Sequence, residues 1–222
     1  MIDLSRDGDV FILRMQSGEN RFNPDSLTAI NRALDEVEGT PGAAALVTTG
    51  EGKFYSNGLD LDFMMKNPEE GAAVGDGLGR LLERILVFPM VTVAALNGHA
   101  FAGGGILAMA HDYRIMREDR GWFCLPEVDI KIPFSQAMAQ MIRARLPADT
   151  ARDAMLSGRR YSAAEAVAGG IAGRAVPEAE VVPTAVALAQ PLAEKDRTTM
   201  GAIKKAMFAD VLPYFEKHRG GS

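Results

Sequence analysis

The sequence predicts an α/β fold built on parallel strands, with a helical C-terminal part. Three observations predict it. Apolar, β-branched runs alternate with segments whose apolar residues recur at helical spacing through the first half of the chain. Two successive strands run into polar glycine turns, at Asn57-Gly58 and at Asn97-Gly98, each followed by residues that open a helix. Beyond Ser135 the apolar patterns are helical.

Residues 2–6 and 10–15 flank Asp7-Gly8-Asp9 and read as a β-hairpin. Asn23-Pro24-Asp25-Ser26 starts a helix whose apolar face is Leu27, Ile30, Leu34 and Val37, and Gly39-Thr40-Pro41-Gly42 stops it. Residues 44–48 form a third, buried strand. The stretch 50–61 is a glycine-rich loop that opens a helix at Leu61; the Walker spacing is absent from it. Residues 67–79 are polar, glycine-rich and expected to be mobile at their start. Leu78, Leu81, Leu82, Ile85 and Leu86 then give a helical face that ends at Pro89.

The centre of the chain is the run 91–116. Its strand VTVAAL breaks at Asn97-Gly98, and Gly103-Gly104-Gly105 lead into a short apolar helix from Ile106 to His111. A strand, a glycine turn and a helix start together present unpaired N–H groups at the positive end of a helix dipole. Such a place can hold a developing oxyanion or enolate. Taken alone, the glycines equally serve close packing of a helix on a strand. Two such loops after two strands say more than either, because an oxyanion hole usually needs two donors. The repeated β-α-β order implies right-handed crossovers, with ligands beyond the carboxyl ends of the strands.

Residues 113–116 and 122–125 are further strands. The second enters Pro126-Glu127-Val128, where Glu127 lies among apolar neighbours at the end of a strand, in a loop. Apolar surroundings raise a carboxyl pKa towards the range useful for proton transfer, although a solvated loop carboxylate fits the local sequence too. Asp129, two residues on, reads as structural. The remainder is read as helical: a run capped by Ser135, another opened by Pro147, a third behind the capping box of Ser162 and Glu165, and two more over 181–193 and 200–208. Lys204, Lys205, Lys217, His218 and Arg219 read as a solvated basic tail.

The chain of 222 residues is 47% hydrophobic and carries a net charge of −5, which suits one sizeable domain and argues against nucleic-acid binding by bulk electrostatics. No apolar run reaches the roughly 20 residues of a membrane helix. The one cysteine, Cys124, fits a reducing compartment. The expectation is a soluble, cytoplasmic protein with no nucleic-acid or membrane partner. There is no G-x-S-x-G elbow, the glycines miss the G-x-G-x-x-G spacing, and His99, His111 and His218 lack metal-ligand spacing. His99, in the glycine loop, is placed to touch ligand.

Three motifs in order, FYSNGLDL (54–61), NGHAFAGGG (97–105) and PEV (126–128), resemble the enoyl-CoA hydratase/isomerase (crotonase) superfamily. The resemblance implies a spiral of repeated ββα turns, with two roughly perpendicular sheets surrounded by helices. It divides the chain into a core with an acyl-CoA site (1–176) and a C-terminal helical region (177–222) serving as lid or oligomerisation surface. It implies a homotrimer or dimer of trimers, and no cofactor, because coenzyme A is part of the substrate.

By the same resemblance, the backbone N–H groups of Leu59 and Gly104 hold the thioester oxygen of an acyl-CoA and stabilise its enolate. Ser56, Asn57, Gly58, Asp60, Lys53, His99, Gly103 and Leu107 are the implied substrate or CoA contacts. Hydratases of the family use two glutamates. Here Leu107 occupies the first place and Glu127 the second, so one base remains. One base moving a proton from C2 to C4 is a double-bond isomerisation, and the segment HDYRIMREDRG through PEVDIKIP is similar to Δ3,Δ2-enoyl-CoA isomerases of the plant peroxisomal kind. Asn57 replaces a commoner alanine, Lys131 a commoner glycine, and the C-terminal region is shorter than is typical. Thioester hydrolysis, decarboxylation, weak hydration, or a non-catalytic acyl-CoA-binding subunit are the alternatives.

Overall fold

Asp7-Gly8-Asp9 makes the expected hairpin. In the computed structural model, which describes residues 1–216, β1 (Ile2–Asp7) pairs antiparallel with β2 (Val10–Met15), and Gly8 turns at φ 58°. The helix α1 (Pro24–Gly39) begins where Asn23 and Ser26 satisfy each other's backbone N–H groups at 2.9 Å, with Pro24 in the first turn. Its buried stripe is Leu27, Ile30, Ala33, Leu34 and Val37. Then come β3 (Ala45–Gly50), β4 (Phe54–Ser56), α2 (Leu61–Lys66), α3 (Pro68–Leu86), β5 (Thr92–Leu96), β6 (His99–Phe101), α4 (Gly103–Ala110), β7 (Tyr113–Arg117) and β8 (Phe123–Cys124). The chain continues through α5 (Glu127–Ile130), α6 (Gln136–Arg145), α7 (Ala148–Ser157), β9 (Arg160–Tyr161), α8 (Ala163–Ala168), β10 (Arg174–Val176), α9 (Val181–Ala189), α10 (Arg197–Met207) and α11 (Leu212–Glu216).

Two sheets result. The larger has the order β1-β2-β3-β5-β7-β10 and is parallel from β2 onward; the smaller has the order β4-β6-β8-β9. Three consecutive large-sheet strands, β3, β5 and β7, each hand the chain to a short strand of the small sheet and then to helix. This is the ββα spiral, and it corrects the plain parallel sheet that strand spacing alone implied.

Alternation along β5 shows why both faces of the central strands are largely apolar. Val93 and Ala95 face a cluster shared with Val181, Ala185 and Ala189 of α9, while Ala94 and Leu96 face the main core with α1, α3 and α4. The small side chains of α9 let that helix lie close on the sheet, so part of the C-terminal region closes the core. Fully buried Leu81, Leu82 and Ile85 of α3 each contribute about 1.5–3 kcal/mol of burial. Among the described residues no helix is long and apolar enough to cross a membrane.

Several local expectations are corrected. Residues 68–79 are helix: Pro68 pre-sets the first turn, Glu69 and Glu70 complement the dipole there, and Val74 extends the apolar stripe. The stretches read as glycine loops contain β4 and β6, and the part read as wholly helical contains β9 and β10. All four strands have two or three residues, too few for alternation to register, and are stabilised by tertiary pairing. Glu127 starts a four-residue helix instead of lying in a loop. Lys204 is buried, donating to Asp112 at 2.6 Å and to Met90 O at 2.8 Å, so the basic tail is not a solvated unit. Lys217, His218, Arg219 and the terminal Gly-Gly-Ser lie outside the described residues.

Candidate active site

The two glycine loops meet. After β4 the chain turns at Gly58, φ 81°, with Ser56 Oγ accepting the Gly58 N–H at 3.2 Å and donating to Asn20 O at 2.7 Å. Phe22 N–H donates to Gly58 O (2.8 Å) and Asp60 N–H to Phe22 O (2.9 Å). Leu59 lies between these two bonds, so its own N–H points to the other side, with no partner among the described residues. After β6, Ala102 takes φ 47° and ψ −126°, a strained conformation for a residue with a side chain, and α4 begins at Gly103. Among the described residues no side chain caps α4, and Gly103 and Gly104 present N–H groups without partners there at its positive end.

Close approach explains two glycines. A Cβ on Gly104 would sit 2.3 Å from Ser56 O, and one on Gly58 would sit 2.8 Å from Gly103 N. The loop after one small-sheet strand is thus packed against the helix start after the next.

Glu127 stands at the third strand end. Pro126 follows β8, and the helix α5 carries Glu127 inward before closing at Lys131, whose φ of 59° is the left-handed conformation that glycine favours. Glu127 is only 6% exposed, and its Oε2 has no hydrogen-bond partner among the described residues. Burial pushes its carboxyl up to about 7 from an ordinary 4.5. Leu59, Gly103 and Glu127 line one cavity of about 550 Å³, whose other walls include Leu78, Ile106, Phe134 and Met138. An apolar cavity with uncapped amides and a carboxyl titrating near neutrality can stabilise an oxyanion and move a proton.

The sequence matches the enoyl-CoA hydratase/isomerase family over residues 7–219. The chain belongs to that family. Enoyl-CoA delta isomerase 2, peroxisomal, of Arabidopsis thaliana is 35% identical, covering 95% of this chain and 93% of the relative. A putative enoyl-CoA hydratase of Thermus thermophilus is also 35% identical, over 91% of this chain and 81% of its own. Among solved structures, an enoyl-CoA hydratase/isomerase family protein from Pseudomonas syringae superposes with a TM-score of 0.91 at 26% identity, covering 98% of this chain and 94% of that one. The two-sheet spiral is therefore the crotonase fold of the enoyl-CoA hydratase/isomerase family.

Against that family's motifs, the structure brings Asn57, Leu59, Gly103 and Glu127 to the cavity wall. The amide of Asn57 is held by Glu19 at 3.0 Å. The other expected contacts lie behind or beside the wall. Ser56 is fully buried and fastens the loop; Gly58 and Gly104 are packing contacts between the loops. Asp60 caps α2 by accepting from Phe63 N–H at 3.2 Å. Lys53 lies over the Phe54 ring at 5.4 Å. His99 sits between Phe54 and Phe101, ring centroids 5.2 and 4.8 Å away, and burial lowers its pKa. Leu107 faces the core beside Leu13, Leu34, Thr48 and Leu81.

Sequence reasoning missed two cations on the wall. Arg21 bridges Glu19 and Asp62, each at 2.7 Å, and Arg160 of β9 lies 5.6 Å from the Phe101 ring. Neither belongs to a glycine loop or a periodic pattern. Arg160 reaches the site only because β9 pairs with β8.

Proposed function

We propose that the chain is a Δ3,Δ2-enoyl-CoA isomerase that works with one carboxylate. The observation that carries this reading is Glu127, the buried carboxylate of a cavity whose other acidic wall residues, Asp62 and Asp129, are exposed. In this reading the N–H groups of Leu59 and Gly104 bind the thioester oxygen of a 3-enoyl-CoA. The Glu127 carboxylate takes a proton from C2, and the electron pair moves into the dienolate as negative charge gathers on the bound oxygen. Protonated Glu127 returns the proton to C4, and the double bond moves from C3=C4 to C2=C3. Atoms balance without water or a redox partner, and coenzyme A enters only as part of the substrate.

The same count of carboxylates disfavours hydration. It needs a second group to handle the proton of an attacking water, and the position that would supply it, Leu107, is apolar and turned to the core. The names of the relatives include both delta isomerases and hydratases, and the isomerase reading follows from this difference in carboxylates. A trimeric assembly belongs to the proposal; Ile203 and Met207 of α10, 51% and 65% exposed, offer it an apolar surface. A reducing, cytoplasmic setting is proposed on the buried thiol of Cys124; the peroxisomal label belongs to the plant relatives.

The test is incubation of the purified protein with a 3-enoyl-CoA, following the absorbance of the conjugated 2-enoyl thioester. A signal that is lost in Glu127→Gln is expected. Tight acyl-CoA binding without conversion would reject the isomerase in favour of a binding subunit. Release of free thiol would point to thioester hydrolysis.

A further inference from the structure

A buried chain of side chains joins the two loops from below. Tyr55 OH lies 2.8 Å from Thr48 Oγ1, Thr48 Oγ1 lies 2.9 Å from His111 Nε2, and His111 Nδ1 lies 2.9 Å from Leu107 O. All three residues are buried, at most 4% exposed. The direction of every proton follows from the end of the chain. A backbone carbonyl only accepts, so Nδ1 of His111 carries the proton and donates to Leu107 O. Burial holds the imidazole neutral, with its pKa down at about 3. Nε2 is then an acceptor, so Thr48 donates to it. The hydroxyl of Thr48 has one proton, already used, so Tyr55 donates to Thr48. Each polar atom is satisfied in one orientation only.

The ends of this chain matter. Leu107 and His111 form the last turn of α4: the His111 N–H donates to Ala108 O at 3.3 Å, and its side chain takes the Leu107 carbonyl. Gly104 is in the first turn of that eight-residue helix. Tyr55 lies in β4, next to Ser56, whose carbonyl packs against Gly104 and whose hydroxyl holds the Gly58 N–H. Thr48 lies in β3, and so ties both loops to the large sheet.

We propose that Tyr55, Thr48 and His111 are positioning residues that set the spacing between the Leu59 and Gly104 amides. This rests on the reading of those amides as the thioester-oxygen site. None of the three touches the cavity that contains Glu127, so their effect passes through α4 and β4. Displacements of about 1 Å at such a site cost roughly a hundredfold in rate.

The experiment measures kcat and KM on a 3-enoyl-CoA, the dissociation constant of a saturated acyl-CoA and the melting temperature. It compares Thr48→Val, Thr48→Ser and Tyr55→Phe. Thr48→Val leaves Tyr55 without an acceptor and His111 Nε2 without a donor. It is expected to lower kcat by about tenfold to a hundredfold, with saturated acyl-CoA binding within about threefold. Thr48→Ser restores the chain and the rate. Tyr55→Phe, which removes one oxygen and keeps the Thr48–His111 bond, falls between and decides the question if Thr48→Val does not fold. A folded Tyr55→Phe or Thr48→Val with the parent kcat would overturn the inference. So would a rate that falls only in step with the folded fraction. No conversion by the parent protein would reject the functional reading itself; conversion by the parent with indifferent variants rejects the positioning role alone.

Discussion

The pH dependence of kcat/KM is the strictest consequence of where Glu127 sits. Burial moves its carboxyl from an ordinary 4.5 to about 7. At about 1.4 kcal/mol per tenfold, that difference represents roughly 3 kcal/mol against the charged form in the free protein. In the proposed reaction Glu127 must be ionised to take the C2 proton, so the rate is expected to rise with pH. With a pKa of about 7, roughly a tenth of the carboxyl is ionised at pH 6, half at pH 7 and nine-tenths at pH 8, so kcat/KM gains about tenfold across that range. The assay is initial-rate formation of the conjugated thioester at low substrate concentration, so that the profile reports the free enzyme. Glu127→Gln keeps the shape and removes the base, and is expected to lose about a hundredfold to ten-thousandfold in rate while still binding saturated acyl-CoA. A profile flat above pH 6, or Glu127→Gln retaining more than about a tenth of the rate, would refute the assignment of the base.

Gly104→Ala puts a Cβ 2.3 Å from Ser56 O, so the loops must separate; the same assay should show at least about a hundredfold loss, as for removal of one oxyanion donor. Leu107→Glu, which would place the missing hydratase carboxylate, instead buries a charge beside Leu13, Leu34 and Leu81; a clear fall in melting temperature and no hydration of a 2-enoyl-CoA are expected. Lys204→Met removes the cation that pairs with Asp112 and donates to Met90 O, and leaves the Asp112 carboxylate the Thr92 N–H and hydroxyl as its donors. Losing one partner of a buried pair costs about 3–5 kcal/mol, roughly a 10 °C fall in melting temperature for a chain of this size, checked by calorimetry.

What could be read from the sequence was whatever is written locally. The caps at Asn23, Ser135 and Ser162, the hairpin at Gly8, and the stripes of α1 and α9 all depend on neighbours a few residues away. The two glycine loops and the proline before Glu127 are local as well. Of the small sheet only β8 was legible, in the run 122–125; β4, β6 and β9 were not. Strands of two or three residues have no pattern of their own, and form only because β4, β6 and β8 lie side by side once the spiral is wound. Polar partners follow the same rule. Lys204 meets Asp112 from 92 residues away, and Thr48 meets His111 from 63. Leu59 is marked only by the family motif, Glu127 by its apolar neighbours at a strand end as well. Their geometry came from contacts no local window contains, such as the paired bonds of Phe22 on either side of Leu59.

The costly features of the site complement one another in charge. The resting protein has amides at Leu59, Gly103 and Gly104 without acceptors among the described residues and a carboxyl group whose Oε2 has no donor among them. Each is unfavourable alone, because a buried polar group without a partner costs about 1–3 kcal/mol. In the proposed reaction, proton transfer from a thioester to Glu127 would exchange the charges: the carboxylate would become neutral in a place that disfavours its charge, and the oxygen negative at the positive end of α4. These surroundings favour both changes more than water does, and so lower the cost of the transfer. Filling either deficit within the fold, with a cap for α4 or a donor for Glu127, would stabilise the resting protein and remove the difference on which the proton transfer depends. On the proposed reaction, that trade would account for the strained Ala102 at the head of a helix that no side chain caps among the described residues.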